Sequence, residues 1–209
     1  MSKSQNPMTG HMSGSMANFA TYTRFGKNII RSKAFQPKDA NSVSQIAQRA
    51  SFKLIVNAYQ SFGGITDISF PKRPEDQIPY NAFMAANLPS AIDKTGATPV
   101  IDYSKMVVSN GSLPKVMVPT ATTGDAGIIL GYKTDVLDPK IFANDEVIAL
   151  ALLKSGELIL NRKPRGNEPV GTITLNYNGI IAANVECCYL FVLSADGSNA
   201  SDSTYVEVV

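Results

Sequence analysis

The sequence is poor in the side chains that carry most enzyme chemistry. Its 209 residues include one His, two Cys and no Trp. A catalytic triad based on histidine could use only His11, and a zinc site built from several Cys or His residues cannot be assembled. The acidic residues Asp135, Asp138 and Asp145 lack the alternating ligand spacing of a calcium loop. We therefore expect no enzyme activity, no metal site and no cofactor.

Long apolar runs are also absent. No run approaches the roughly 18 residues that a membrane-spanning helix needs, and the N-terminal residues lack the charged start and apolar centre of a signal peptide. The cysteines Cys187 and Cys188 are adjacent, so on a strand they point to opposite faces and cannot easily pair with each other. We expect both to be free in a reducing compartment, with only the inward-facing one important for stability. No membrane partner is predicted.

Acidic residues are missing from the first 38 positions, which contain six basic residues: Lys3, Arg24, Lys27, Arg31, Lys33 and Lys38. The rest of the chain holds 13 of the 19 basic residues and all 17 acidic ones. A basic segment joined to an acidic body suggests docking onto a neighbouring subunit or contact with nucleic acid, and a solvated basic tail is the alternative interpretation of the charge.

Residues 1–37 are predicted to form an N-terminal arm that contains a β-hairpin. Residues 19–24 alternate in character, and the turn Phe25-Gly26-Lys27-Asn28 contains Gly and Asn, which tolerate positive φ. An isolated two-stranded hairpin is marginal in water, so this one needs a surface on which to pair or pack. The predicted assembly interface of the arm consists of Phe19, Tyr22, Arg24, Phe25, Lys27, Ile29, Ile30, Arg31 and Lys33.

Residues 38–100 are predicted to be a helical region. Apolar residues recur there with the helical period of 3.6, and they share one face: Val43, Ile46, Ala47, Ala50 and Leu54. Asn41 or Ser42 caps the start of this long helix, and Gly63-Gly64 is expected to end it. A shorter helix is predicted from Tyr80 to Asn87, where Pro89 stops it.

Residues 101–209 contain short apolar runs that are broken by Gly, Pro, Asp and Asn. One hairpin is predicted between 106–108 and 116–118 around Asn110-Gly111-Ser112, and a second around Lys154-Ser155-Gly156-Glu157. Further strands are predicted at 128–132, 172–177, 186–193 and 204–208. The predicted fold is α+β and mainly β, with an arm containing a β-hairpin, one long and one short helix, and a C-terminal immunoglobulin-like β-sandwich.

Short motifs occur in a fixed order along nearly the whole chain. They are Gly10-x-x-Ser13-Gly14-x-x-Ala17-Asn18, Tyr22-Thr23-Arg24-x-Gly26-Lys27-Asn28-x-Ile30-Arg31-Ser32, Ala47-Gln48-Arg49-Ala50-x-Phe52, Tyr80-Asn81-Ala82, Ile101-Asp102-Tyr103-Ser104-Lys105, Gly111-Ser112-Leu113-Pro114 and Ser194-Ala195-Asp196-Gly197. With these motifs the sequence resembles a family of proteins of unknown function, about 200 residues long, from Bacteroidota genomes and their tailed phages, including crAss-like phages. The resemblance implies an arm, a helical segment and a sandwich, and it implies no catalytic residue.

Together these observations predict a virion structural protein of a tailed phage, assembled in the host cytoplasm. A ring or connector subunit at the neck is favoured, or a tail subunit, and its partners are copies of itself in a ring or tube and virion proteins such as the portal. The alternative is a non-enzymatic bacterial surface or matrix module whose sandwich loops bind a glycan or a protein. Nucleic-acid contact by the basic arm, with Tyr22 and Phe25 stacking on bases, is a third and less favoured hypothesis.

Overall fold

The computed structural model describes residues 2–4, 13–33, 39, 41–74, 76–96, 98–124, 127–176 and 182–208. The chain forms two compact units, Met1–Gln45 and Ile46–Val209, which we call the N-terminal unit and the body. Within the described residues it is mainly β, with two α-helices and several antiparallel sheets, so the coarse fold prediction is confirmed. His11 lies outside the described residues, and the domain boundaries predicted after residues 37 and 100 stay predictions.

The described part of the N-terminal unit contains the strands β1 Ser2–Ser4, β2 Gly14–Met16, β3 Phe19–Arg24 and β4 Lys27–Ser32. These strands form one antiparallel sheet in the order β1-β4-β3-β2. The β3/β4 hairpin confirms the predicted one, but the turn is shorter than expected, because Lys27 and Asn28 pair as strand residues. The pairing surface that such a hairpin needs is supplied by β1 and β2, two strands that the sequence did not predict.

The turn of this hairpin consists of Phe25 and Gly26 alone, with φ of 50° and 69°. Positive φ at both central residues is the requirement of a type I′ turn, whose twist matches that of the flanking strands. Glycine adopts this conformation at little cost, whereas a bulky side chain in it costs roughly 1 to 2 kcal/mol. Phe25 is therefore held at the tip of the hairpin against its own backbone preference.

The long helix α1 covers Val43–Ser69. Its start agrees with the prediction, because the Gln45 backbone N–H donates to the Ser42 hydroxyl oxygen at 3.3 Å. The predicted end at Gly63-Gly64 is wrong. Beyond these glycines the helix buries further side chains, including Ile65 at 2% exposure. This packing outweighs the roughly 1 kcal/mol that each glycine costs in a helix interior.

The face that α1 buries also differs from the predicted one. Its buried residues are Ser51, Ile55, Ala58, Phe62, Ile65, Thr66 and Ser69. The predicted face begins with Val43 and Ile46, which are 85% and 54% exposed. The first turns follow a helical period, but only the helix from Ser51 onward packs against the core, and that part determines the buried face.

The short helix α2 covers Pro79–Asn87, within one residue of the prediction. Pro79 stands in its first turn, where a missing N–H costs nothing. Its buried Phe83 ring lies 5.6 Å from the ring of Tyr59 and 6.5 Å from that of Phe62, measured between centroids. These contacts hold α2 against α1.

The body contains nine strands within its described residues: β5 Ile92–Asp93, β6 Val100–Ile101, β7 Met117–Gly124, β8 Gly127–Lys133, β9 Glu146–Leu153, β10 Leu158–Pro164, β11 Val170–Asn176, β12 Val185–Leu193 and β13 Thr204–Val206. Two 3₁₀ turns occupy Tyr103–Lys105 and Ala182–Asn184. The order is β10-β9-β12-β13 in a four-stranded sheet and β11-β8-β7 in a three-stranded one, while β5 and β6 pair separately. The hairpin predicted around 154–157 is confirmed, and β12 pairs with β13.

The four-stranded sheet lies between two apolar cores. On one face, Leu150 and Phe191 belong to a core that includes the buried side chains of α1 and α2. On the other face, Ala149 and Leu190 belong to a core shared with the three-stranded sheet. Seven of the eight residues of β9 and eight of the nine of β12 are therefore buried. The body has three layers: helices, a central sheet and an outer sheet.

The hairpin predicted around Asn110-Gly111-Ser112 is wrong. Residues 106–108 are not a strand, and β7 pairs instead with β8, the next strand along the chain. The segment lies against the helices, where the Asn110 N–H donates to the Ser69 carbonyl oxygen at 3.0 Å. The backbone groups of this segment form hydrogen bonds with helices and loops, so pairing with a β-strand is not needed to satisfy them.

Both edges of the three-stranded sheet have partners outside that sheet. On the β11 edge, the Asn161 amide donates to the Thr174 carbonyl oxygen at 2.6 Å, and the Lys163 ammonium donates to the Thr172 carbonyl oxygen at 3.0 Å. On the β7 edge, a parallel bridge joins Ala121 to Val208, just beyond β13. The two sheets are thus connected along both sides.

Candidate functional site

The register of the N-terminal hairpin sorts the predicted interface residues into two faces. Paired residues share a face, because side chains alternate along a strand. One face carries Tyr22 opposite Ile29 and Arg24 opposite Lys27, with Arg31 two residues beyond Ile29. The opposite face carries Phe19 and Ile30. Lys33 follows β4, and its backbone N–H donates to the Asn18 carbonyl oxygen at 2.7 Å.

The first of these faces combines an apolar centre with a basic rim. Ile29 is buried at 6% exposure and Tyr22 is half-buried, whereas Arg24, Lys27 and Arg31 are exposed. The structure thus brings together five of the predicted residues. Because Ile29 is already buried, the accessible part of this face consists of Tyr22 and the three cations.

Phe25 adds an aromatic group at the tip of the hairpin. It is 51% exposed, and the guanidinium carbon of Arg24 lies 5.3 Å from its ring centroid, a cation–π contact. A side chain in a strained backbone conformation often marks a functional position. Phe25 therefore combines an unfavourable backbone conformation with an exposed ring.

A group of buried polar side chains ties the two helices of the body to the segment 106–113. Ser69, Asn87, Ser109 and Ser201 are all 0% exposed. The Asn87 side-chain oxygen accepts from the Val107 N–H at 2.7 Å, and its side-chain nitrogen donates to the Val107 carbonyl at 2.8 Å. Buried polar groups of this kind are satisfied by hydrogen bonds, which makes their arrangement specific.

The serines of this group complete the link from α1 to the residues just before β13. The Ser69 hydroxyl donates to the Val108 carbonyl at 2.8 Å, which fixes the C-terminal turn of α1 on the segment. The Ser109 hydroxyl donates to the Ser201 carbonyl at 2.7 Å, and the Ser203 N–H donates to the Ser109 carbonyl at 3.0 Å. Sequence reasoning missed this group, because isolated serines carry no periodic signal.

Two of the sequence motifs meet beside these serines. Gly111 packs so closely on the chain that an added Cβ would lie 1.9 Å from the Ala200 carbonyl oxygen, so only glycine fits there. The next residue, Ser112, donates its backbone N–H to the Asn199 side-chain oxygen at 3.3 Å. In the second motif, hydrogen bonds from the Ser194 hydroxyl and from Ser198 lower the pKa of Asp196 to about 2. Asn199 joins the two motifs, because its backbone N–H donates to the Ser194 hydroxyl oxygen at 2.9 Å.

The two cysteines lie on opposite faces of β12 and are free, as predicted. The expectation that only one of them faces a core is wrong. Cys187 belongs to the helix-side core and Cys188 to the core between the sheets, with exposures of 2% and 0%. Burial raises the pKa of each thiol to about 12, so both stay protonated and unreactive.

Arg165 is a further unusual residue that sequence reasoning did not identify. Its side chain is buried, at 4% exposure, and its Nε donates to the Thr134 hydroxyl at 3.5 Å. Its two Nη atoms and the buried Tyr132 hydroxyl have no hydrogen-bond partner among the described residues. Burial lowers the pKa of Arg165, while the charge of Asp145 opposes this shift. Nothing in the local sequence distinguishes Arg165 from an exposed loop arginine.

Within the described residues, no group of three His, Cys, Asp or Glu side chains is arranged to hold a metal ion. Among the helices of the same residues, none is both long enough and apolar enough to cross a membrane.

The model of a family described as "Family of unknown function (DUF6266)" matches residues 11–207. No curated protein matches the chain, and no solved structure matches it.

Proposed function

The chain belongs to the family of unknown function DUF6266, and we propose that it is a virion structural protein of a tailed phage, without enzyme activity, that assembles through its N-terminal unit. More specifically, the protein is then a ring or connector subunit at the neck of the particle, or a tail subunit. The partners are then copies of itself in a ring or tube, with the portal or neighbouring tail proteins. The origin in Bacteroidota and their phages, including crAss-like phages, rests on sequence resemblance alone.

The observation that supports assembly most is the small core of the N-terminal unit. Of its side chains that the structure describes, Ile29 is the only buried apolar one. Burial of such a side chain contributes roughly 1.5 to 3 kcal/mol, which is small against the backbone entropy of ordering a four-stranded sheet. Phe19 and Phe25 are half-exposed on the same unit. A partner surface that covers them would supply the missing apolar burial.

The body supports the proposal in a different way. Its central sheet is packed on both faces, and both sides of the outer sheet are connected to it. Such a body suits a subunit that must keep its shape within an assembly. An immunoglobulin-like sandwich in residues 101–209 is the finer form of the fold proposal, and the core shared by the two facing sheets supports it.

The experiment is a substitution of Phe25→Asn in the full chain, followed by sedimentation velocity over a range of concentrations. Asn adopts positive φ readily, so the turn keeps its conformation while the aromatic group is removed. We expect the wild-type chain to form oligomers and the variant to dissociate at concentrations about tenfold higher or more, since an exposed aromatic buried in an interface contributes more than 1 kcal/mol.

The matched control is Phe142→Asn, the same change at a residue of the body that is 62% exposed. We expect this variant to sediment like the wild type. Oligomers that are equally stable in both variants would contradict assembly through the hairpin tip. A wild-type chain that is monomeric at every concentration would contradict assembly itself, and the bacterial binding module would become the better hypothesis.

A further inference from the structure

A cleft of about 320 Å³ opens in the body between the turn that follows α1 and the helix α2. This volume lies within the range of small-molecule and peptide-side-chain sites. The small side chains Ala82, Ala85 and Ala86 of α2 line it on one side. The rest of the lining consists of Phe70 and Pro74 and of the polar residues Lys72, Arg73, Gln77 and Asn110.

Its walls are held in place without a ligand. The buried side chains of Asn87 and Ser69 tie α2 to Val107 and α1 to Val108 through hydrogen bonds. The Asn110 N–H donates to the Ser69 carbonyl oxygen, which fixes the third wall. A cleft whose walls are already ordered loses little conformational entropy when it binds a ligand.

The two cations at the cleft differ in how far they are already engaged. Arg73 donates from one Nη atom to the carbonyls of Asp67 and Phe70, at 3.2 and 3.0 Å, and its other Nη atom lies 3.8 Å from the Asp67 carboxylate. Arg73 is therefore used to hold the end of α1. The ammonium of Lys72 donates to the Ser112 hydroxyl at 2.5 Å and is otherwise exposed to solvent. Lys72 has further N–H donors for an anion.

The cleft thus combines one available ammonium, two side-chain amides and a small apolar wall. An ammonium binds a carboxylate through charge-assisted hydrogen bonds, and amides bind neighbouring peptide groups. Ser112 holds Lys72 in position, and Asn199 in turn holds Ser112. The Gly111-Ser112 motif then has a role beyond closing the loop, since it orients the cation.

From this arrangement we propose that the cleft binds a carboxylate group that is flanked by peptide-like amides, with Lys72 pairing with the carboxylate and Gln77 and Asn110 contacting the amides. Two sources share this chemistry: a small free ligand, or a Glu or Asp side chain of a protein segment. The site belongs to the body and does not depend on assembly through the N-terminal unit.

The test is a titration of the full chain, labelled with ¹⁵N, with N-acetyl-glutamate α-amide, and with N-acetyl-glutamine α-amide as the uncharged equivalent. We expect the amide signals of Ala85, Ala86 and Asn110 to shift with the glutamate derivative, and the glutamine derivative to bind about tenfold more weakly or worse. A flexible peptide with one central Glu distinguishes the two sources. Tighter binding of the peptide than of the blocked amino acid indicates a protein segment, and equal binding indicates a small ligand.

Two variants test separately the role of Lys72 and the location of the ligand in the cleft. Lys72→Gln removes the charge and should weaken binding by about tenfold or more, whereas Lys154→Gln changes an exposed lysine in the β9/β10 turn and should have no effect. Ala85→Leu keeps every polar group but fills the cleft, and should also abolish the shifts. Equal binding of the two derivatives, shifts elsewhere in the chain, or unchanged binding in either Lys72→Gln or Ala85→Leu would overturn the proposal.

Discussion

The N-terminal sheet and the central sheet of the body both have four antiparallel strands, but different amounts of apolar surface cover them. In the N-terminal sheet, Ile29 is the one buried apolar side chain among those that the structure describes. In the central sheet, nearly every residue of β9 and β12 is buried, because helices cover one face and the outer sheet the other. Strand pairing alone is therefore a poor guide to stability, since apolar burial provides most of the free energy.

The largest expected difference between the two sheets concerns apolar truncation. Leu150→Ala leaves a cavity in the helix-side core and should lower the free energy of unfolding by about 2 to 5 kcal/mol. Ile29→Ala should leave the unfolding of the body unchanged. Urea unfolding followed by circular dichroism measures both. The control is Leu160→Ala on β10, at 40% exposure, which should cost less than about 1 kcal/mol. Equal losses in Leu150→Ala and Leu160→Ala would mean that the central sheet is not the core.

Substitution of the cysteines tests whether both faces of the central sheet are buried in apolar cores. Cys187→Ser and Cys188→Ser each place a hydroxyl in an apolar core and should each cost about 1 to 3 kcal/mol. In the native chain neither thiol should react with Ellman's reagent at neutral pH, because burial raises both pKa values to about 12. If one substitution has no effect on stability, one face of β12 is open.

Removal of the basic charges of the N-terminal unit tests how these charges contribute to assembly. A variant with Gln in place of Arg24, Lys27, Arg31 and Lys33 should assemble more slowly, by about tenfold at low salt, yet reach the same oligomer, because charges at the rim of an interface mainly set association rates. Light-scattering kinetics at two salt concentrations measure this.

A different result would support nucleic-acid contact by the same residues. In that case the charge variant assembles normally but loses DNA binding that the wild-type chain shows at physiological salt. Binding to phosphates would also fall by orders of magnitude between low and physiological salt.

The smallest expected effect is a difference in the response to acid. The pKa of Asp196 is lowered, so its stabilisation is complete above the ordinary value of 3.8 and is lost as the pH falls towards about 2. Residues 1–38 contain no Asp or Glu. Between pH values of about 5 and 2, hydrogen exchange should therefore quicken at Ser198 but not at Tyr22 or Ile29 beyond the intrinsic pH effect. The Asp196→Asn variant should abolish the change at Ser198, and a matching change in β3 and β4 would contradict this account.

The strands could be predicted where local sequence and tertiary packing agree. The turn Lys154-Ser155-Gly156-Glu157 joins two apolar runs, and β9 and β10 form the expected hairpin there. Asn110-Gly111 gives an equally strong turn signal, but Gly111 is required by its contact with Ala200. A glycine needed for close approach and one needed for a turn look the same in sequence.

The candidate site could be predicted only in part, for a similar reason. Alternation and charge identified Tyr22, Arg24 and Phe25 in the N-terminal hairpin, because these are local patterns. The cleft depends on Lys72 and Asn110, which are distant in sequence and brought together by buried serines. Such long-range arrangements leave no periodic pattern.

The connected edges of the outer sheet have a consequence for behaviour at high concentration. Unpaired strand edges are templates for cross-β aggregation, in which one chain adds its strands to those of another. The side chains of Asn161 and Lys163 occupy the outward carbonyls of β11, and Val208 pairs with β7. A strand of another chain would therefore have to displace these contacts before it could add to either edge of this sheet.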